Sequence, residues 1–206
     1  MIKGNEIMTD NVQKNNQLSK FLSSLGRERK IPPLDKWSPS NITPFDVVIQ
    51  DNGDWYHDGI KMTRQSLVDL FASVLWAQVS DGQKRHFLKT PTDNYEICVV
   101  DTPLFISGVD KVVVQNDEWI VFQTTNGDDI ILDDKSLYFK EFTKDGLSEY
   151  RPYIDTRFNL TARINRNAFY HLVALGELVC ENQQTVLLLQ SGGKTHRVYY
   201  PDDLAS

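Results

Sequence analysis

The sequence has little cysteine, with Cys98 and Cys180 as the two thiols in a chain of 206 residues. Two thiols cannot form a disulfide framework, and their spacing fits no zinc site. Both lie in apolar stretches of the sequence. We therefore expect buried, reduced thiols in a cytoplasmic protein.

Basic residues are also in deficit, since 22 Lys and Arg face 28 Asp and Glu and leave a net charge of −6. Binding to nucleic acid depends on lysine and arginine to displace counterions, so this balance disfavours it. No apolar run reaches the length that spans a bilayer, and the first residues contain no apolar signal core. We expect a cytoplasmic protein with neither a nucleic-acid nor a membrane partner.

Motifs of common enzyme and cofactor sites are missing as well: the sequence contains no P-loop, no GxGxxG, no GxSxG and no HExxH. No catalytic residue, metal site or cofactor is predicted. These absences favour a binding module over an enzyme.

The chain does contain a short internal repeat. Residues 62–71 resemble residues 164–173 at a constant offset of 102 (164 − 62 and 173 − 71). Each copy is an apolar strand end, a capping residue, an arginine and an amphipathic helix. Thr63 and Asn165 are the predicted N-caps, and Arg64 and Arg166 follow them. This short repeat alone is equally compatible with a duplication of the two halves and with a coincidental similarity of two helices.

Strand and turn patterns surround both helices, which are predicted to run from Thr63 to about Val79 and from Asn165 to Val179. Turn dipeptides such as Asn52-Gly53 separate short apolar strands, which indicates hairpins. The fold class is α+β with mostly antiparallel strands, because the links between strands are too short for crossover helices. We expect a loose tail with a short helix at 18–25 in residues 1–30, a first α+β half at 31–105 and a second at 106–206.

Several motifs together resemble a bacterial family called domain of unknown function 1285. The matching stretches are 32–39, 54–56, 60–71, 119–128, 151–157, 166–173 and 191–193. The resemblance implies a duplicated α+β core whose C-terminal half is pleckstrin-homology-like. It also implies a site between the halves for a nucleotide-like ligand in a signalling role. Val48 and Val100 depart from the family pattern, which has arginine and glutamate there.

Arg64 and Arg166 are candidate ligand contacts because a cation in the first turn of a helix opposes the helix dipole and favours an anionic partner. That partner could be a bound anion, held with bidentate geometry, or a carboxylate such as Asp101 or Asp155 in a structural ion pair.

A second group lies on one strand, where alternation places Arg151, Tyr153, Asp155 and Arg157 on the same face. Two arginines and a tyrosine suit a phosphate and a stacked base, and a solvated sheet face is the alternative.

The leading hypothesis is a non-enzymatic module that binds a nucleotide-like anion between its halves. The alternatives are a protein-interaction or scaffold domain whose arginines are structural, and a small hydrolase of unrecognised type. The predicted ligand-binding residues are Arg64, Arg166, Arg157, Arg151, Tyr153, Thr63 and Asn165.

Overall fold

The computed structural model describes residues 31–114 and 116–201. The helix predicted at 18–25 lies outside the described residues. In chain order the strands are β1 (Asn41–Ile49), β2 (Trp55–His57), β3 (Ile60–Lys61), β4 (Leu75–Ser80), β5 (Gln83–Lys89), β6 (Asp93–Val99), β7 (Leu104–Val114), β8 (Asp117–Thr124), β9 (Asp129–Ile131), β10 (Leu137–Lys144), β11 (Leu147–Asp155), β12 (Thr161–Ile164), β13 (Glu177–Glu181), β14 (Gln184–Ser191) and β15 (Lys194–Tyr199). The helices are α1 (Gln65–Ser73) and α2 (Arg166–Ala174), and short 3₁₀ turns cover Leu34–Lys36 and Arg157–Asn159.

The strands form three sheets. A six-stranded sheet in the first half has the order β3-β2-β1-β6-β5-β4, and a second has the order β10-β11-β12-β7-β8-β9. The third sheet, β13-β14-β15, follows α2. The fold is therefore α+β, as predicted, in two related halves. The likeness of the second half to pleckstrin-homology folds stays a prediction.

The repeated unit of the structure is longer than the ten residues that resemble each other in the sequence. After α1 the chain forms β4, β5 and β6, and after α2 it forms β13, β14 and β15, each set joined by antiparallel pairing. The repeated unit is thus a helix followed by three antiparallel strands.

Both predicted helices were too long, because each continues as an edge strand. α1 ends at Ser73, whose hydroxyl donates to the carbonyl of Leu70, and β4 begins at Leu75. The apolar residues that had extended the helical pattern alternate instead: Leu75 and Ala77 are buried and Gln78 is exposed. Pairing with the neighbouring strand across a tight turn overrides local helix propensity here, and α2 gives way to β13 in the same manner.

Most strand pairs are antiparallel, but β1 pairs parallel with β6 and β12 pairs parallel with β7. The prediction had required a crossover helix between parallel strands. Here the connection from β1 to β6 contains four strands and a helix, and that from β7 to β12 contains four strands. The two strands of each parallel pair are therefore connected through several intervening elements and not through a single loop.

One hydrophobic core runs through both halves and includes Ile49 and Leu75 from the first and Phe122 and Leu172 from the second. Burial of this apolar surface is the main favourable term for folding. Neither helix of the described chain is long and apolar enough to cross a membrane.

Both cysteines are free, but they are exposed, so the prediction of buried thiols was wrong. In β6 the buried residue is Ile97, and alternation turns its neighbour Cys98 outward. An apolar neighbourhood in sequence did not reveal which side of the strand the thiol occupies.

Candidate functional site

The two halves meet where residues 156–159 of the second half pack on the end of α1 and on β4. Phe158 and Asn159 both adopt left-handed backbone conformations, with φ of 54° and 59°. Such conformations are unfavourable for non-glycine residues and persist where surrounding contacts impose them. The contacts made by Arg157, Phe158 and Asn159 supply that restraint.

Arg157 binds the end of the first-half helix. Its guanidinium donates to the carbonyl of Ala72 at 2.8 Å and to that of Leu75 at 3.3 Å, and it forms an ion pair of 2.9 Å with Asp128. Carbonyls at a helix C-terminus lack intrahelical partners and carry a partial negative charge, so a cation is favourable there. Arg157 therefore joins the halves. It lies in the 3₁₀ turn beyond β11, so it does not share the strand face predicted for it with Arg151 and Tyr153.

Phe158 continues this contact through an aromatic stack. Its ring lies 5.0 Å from that of Trp76 on β4 with an interplanar angle of 29°. The ammonium of Lys89, on the adjacent strand β5, lies 3.6 Å from the Trp76 ring centroid. This short distance is a cation–π contact.

A cavity of about 400 Å³ opens beside Trp76 and Lys89 at this seam. Its volume falls within the range of small-molecule sites. The lining residues are Trp37, Ser38, Pro39, Trp76, Ala77, Gln78, Val79, Lys89, Asn94 and Asn159. Nine of them belong to the first half, and Asn159 reaches in from the second.

Lys89 is the charged group of this cavity. The residue is only 6% exposed, and among the residues described no carboxylate lies within 4.0 Å of its ammonium. Burial lowers the pKa of Lys89, and the more distant charge of Asp35 opposes that shift. Buried charges are normally paired, so an unpaired ammonium facing a cavity is suited to an anionic ligand.

Asn94 lies opposite Lys89 in the β5–β6 pair and supplies a second polar group. Its side-chain nitrogen donates to the carbonyl of Pro39 at 3.4 Å, while its side-chain oxygen is buried without a hydrogen-bond partner. Buried acceptors normally have a partner. This oxygen is closed off from solvent, so it lies beneath the cavity surface and out of reach of a ligand there.

Trp37 provides an aromatic surface. It is half-buried on the wall of the cavity, and no other ring of the described chain stacks on it. A planar ligand could pack against it, because aromatic rings favour offset stacking.

The predicted residues Arg151 and Tyr153 do share a face, but both bind Asp101. Asp101 accepts hydrogen bonds of 2.7 Å from Arg151 and 2.6 Å from the Tyr153 hydroxyl, and Arg163 lies 3.6 Å away. Burial, and then the hydrogen bond with Asp101, raises the pKa of Tyr153. The carboxylate predicted as a partner for the helix-start arginines thus engages the strand arginines instead.

Arg64 and Arg166 are exposed, and their nearest polar partners lie within their own helices. The Arg64 side chain donates to Ser66 at 3.2 Å, and that of Arg166 donates to the Tyr170 hydroxyl at 3.0 Å. Neither arginine lines the cavity. Ligand contact by the seven predicted residues stays a prediction.

The predicted caps have different outcomes. Asn165 caps α2 by accepting from the backbone N–H of Ala168 at 2.8 Å, as predicted. Thr63 is not a cap, because Arg64 occupies the N-cap position of α1 and makes no side-chain capping bond. The helix α1 begins one residue later than predicted, so Thr63 precedes the N-cap position.

The cavity residues were missed from sequence for identifiable reasons. Trp76 was assigned to the predicted first helix. Lys89 has the sequence context of an ordinary polar residue at the end of a strand, directly before Thr90-Pro91. The one local signal is the adjacent apolar pair Phe87-Leu88 directly before Lys89, which departs from strand alternation.

Two family models match the chain in tandem. Residues 32–102 match "Domain of unknown function (DUF1285), N-terminal domain", and residues 103–198 match "Protein of unknown function (DUF1285), C-terminal domain". None of the functionally curated proteins matches.

Two solved structures of DUF1285 family proteins are similar to this one. The protein from Silicibacter pomeroyi DSS-3 is 27% identical, with a TM-score of 0.70 over 87% of this chain and 93% of its own. The protein from Shewanella baltica OS155 is 25% identical, with a TM-score of 0.45 over 63% of this chain and 91% of its own.

Proposed function

The chain belongs to the DUF1285 family, and we propose that it is a cytoplasmic, non-enzymatic module that binds a nucleotide-like anion in the cavity between its halves. In this proposal the bound molecule is a signal, and its binding changes how firmly the two halves hold each other.

The observation that carries the proposal is Lys89, a residue only 6% exposed whose side chain ends at the cavity. Its ammonium faces a cavity of ligand size and has no carboxylate within ion-pair distance among the residues described. A largely buried lysine without such a partner is suited to an anion that enters the cavity. An anionic group of the ligand would take the place of the missing carboxylate.

A nucleotide-like ligand would also use the other walls. Its base would pack on Trp37 in the cavity wall. Gln78, exposed at the rim, offers an amide that both donates and accepts. These neutral groups would orient the ligand, and Lys89 would provide the electrostatic attraction.

The position of the cavity at the junction supports the proposed signalling role. Asn159 lines the cavity and donates to the carbonyl of Ala77 on β4 at 3.4 Å, and its neighbour Phe158 stacks on Trp76. A ligand that contacts β4 and Asn159 together would stabilise the docked arrangement of the halves. Binding energy of this kind can shift an equilibrium between docked and loosened states.

A thermal-unfolding screen against nucleotides, cyclic nucleotides and phosphorylated metabolites tests the proposal. A ligand at a hundred times its dissociation constant should stabilise the protein by about 2.7 kcal/mol. The stabilisation should disappear in Lys89→Met and persist in Lys61→Met, which removes an exposed lysine paired with Asp54.

Two results of the screen would count against this site. A panel without any stabilising compound would refute the nucleotide proposal. A ligand that loses affinity in Arg166→Ala but binds Lys89→Met normally would move the site to the helix start that the sequence had suggested.

The scaffold alternative has one observation in its favour, which is that Arg151 and Arg157 make structural contacts across the seam. Their engagement explains both residues without a ligand. The scaffold hypothesis does not explain why Lys89 has no carboxylate within ion-pair distance among the described residues. We therefore place this hypothesis second.

A further inference from the structure

The charges of the side chains that line the cavity between the halves restrict the class of anion that it can bind. Of the ten lining residues Lys89 alone is charged, and the other polar side chains, Ser38, Gln78, Asn94 and Asn159, are neutral. The wall therefore carries a single positive charge.

The surroundings do not add to this charge. The closest acidic influence on Lys89 is Asp35, which lies beyond ion-pair distance but still acts on the lysine electrostatically. Its negative charge reduces the attraction that an anion in the cavity would feel. Lys89 is thus the one cation among the lining residues that an anion in this cavity can pair with.

A ligand with two or more negative charges would leave at least one of them uncompensated. An unpaired charge in a partly desolvated site is unfavourable, and like charges cannot both be satisfied by a single ammonium. Neutral amides can orient a second phosphate oxygen but cannot neutralise it.

We propose that the cavity selects singly charged anions, and that within the nucleotide class it takes a phosphodiester of the cyclic mononucleotide type. Nucleoside 5′-monophosphates, which carry close to two charges at pH 7, and nucleoside triphosphates bind less tightly in this proposal. This inference rests on the proposed function and specifies the ligand of the same site.

The ligand would place its phosphodiester on Lys89 and its planar base against Trp37, because both residues line the same cavity.

Isothermal titration calorimetry at pH 7 with matched ligands tests this. For each of the four common bases, the 3′,5′-cyclic monophosphate, the 5′-monophosphate, the 5′-triphosphate and the neutral nucleoside would be titrated. We expect one cyclic nucleotide to bind at least about tenfold more tightly than its 5′-monophosphate, with the triphosphate weaker still. Lys89→Met should reduce binding of the cyclic form to that of the nucleoside.

Two further measurements separate charge from shape. At pH 5 the 5′-monophosphate is mostly singly charged, so its disadvantage against the cyclic form should shrink several-fold. Ser38→Lys adds a second cation to an exposed lining position. That variant should improve binding of the 5′-monophosphate relative to the cyclic form, and Lys61→Met should change neither.

The outcomes are distinguishable. If a monophosphate or triphosphate binds as tightly as the cyclic form, and does so through Lys89, the charge-selection inference is wrong while the proposed site stands. If no compound of the panel binds, the proposed function and this inference both fail. A cyclic preference unchanged in Lys89→Met also overturns the inference.

Discussion

The guanidinium of Arg157 donates a hydrogen bond of 2.8 Å to the carbonyl oxygen of Ala72, so the second half closes the end of the first half's helix. The same turn presents Phe158 to Trp76 and Asn159 to the cavity. The same three consecutive residues therefore contribute both to the docking of the halves and to the shape of the candidate site.

Removing this contact should loosen the seam. Arg157→Leu deletes the bonds to the Ala72 and Leu75 carbonyls and breaks the ion pair with Asp128, a buried carboxylate. We expect the free energy of unfolding to fall by about 3 kcal/mol, as is typical when one partner of a buried pair is removed. Urea unfolding measures this. The exposed Arg64→Leu should change stability by less than about 0.5 kcal/mol, and equal effects of the two variants would contradict a junction role.

Asp101 should be more important for stability than its partner Tyr153. Asp101→Asn removes the charge that faces Arg151 and Arg163 and should cost about 3 kcal/mol. Tyr153→Phe loses one hydrogen bond and should cost about 1 kcal/mol. Chemical denaturation with Asp58→Asn, at an exposed carboxylate, serves as control. Asp101→Asn as mild as that control would show that solvent satisfies the arginines.

The Gly192-Gly193 turn contains a matched pair of glycines with φ of 60° and 73°. A Cβ at Gly192 would lie 2.6 Å from Cη2 of Trp119, whereas nothing lies within 4 Å of one at Gly193. Both alanine variants share the backbone strain, so their difference isolates the steric clash. We expect Gly192→Ala to be less stable than Gly193→Ala by about 1–3 kcal/mol. Thermal unfolding of both variants checks this, and similar melting temperatures would mean that Trp119 moves aside.

His86 should make stability depend on acid pH. Burial, aided by the charge of Lys84, lowers the pKa of His86 to about 4, while in the unfolded chain it is about 6.5. Between pH 6.5 and 4 the unfolded state takes up a proton that the folded state does not. The free energy of unfolding therefore falls as the pH is lowered, by at most about 3 kcal/mol.

Urea titrations at pH 7, 6, 5 and 4 measure that dependence. His86→Gln should flatten the curve in this window, whereas His171→Gln, at an exposed position on α2, should leave it unchanged. A wild-type curve that is no steeper than that of His86→Gln would refute the buried-neutral state of His86.

Lys89→Met should separate stability from binding. Methionine keeps the packing against Trp76 and removes a charge that has no carboxylate partner among the described residues, while the cation–π contact of 3.6 Å is lost. These effects oppose each other, and we expect the unliganded protein to be equally stable or more stable by about 1 kcal/mol. Differential scanning calorimetry without ligand checks this. A loss above about 2 kcal/mol would instead identify Lys89 as a structural residue.

Local chemistry made much of the fold predictable. The hairpins at Asn52-Gly53, Asp58-Gly59 and Gly192-Gly193 form where these turn residues stand, since their positive φ angles suit such residues. The Asn165 cap was predictable for the same reason, because its side chain bonds a backbone group three residues away.

The errors share one physical cause, which is competition between distant pairing and local preference. The stretches at β4 and β13 carry apolar residues that fit a helix, and only pairing with β5 and β14 converts them into strands. The exposure of Cys98 and the departure of Arg157 from its strand likewise depend on the register and end of a strand. A single sequence does not specify either.

By itself the sequence determined the α+β class, the repeated helix start, most turns and the membership of a family, because these depend on contacts between near neighbours or on ordered motifs. Only the tertiary structure decided what the charged side chains do. It paired Asp101 with Arg151, placed Arg157 on the helix end and left Lys89 buried beside a cavity. Coulomb and desolvation energies depend on distance and burial in space, and those arise only when remote segments have packed.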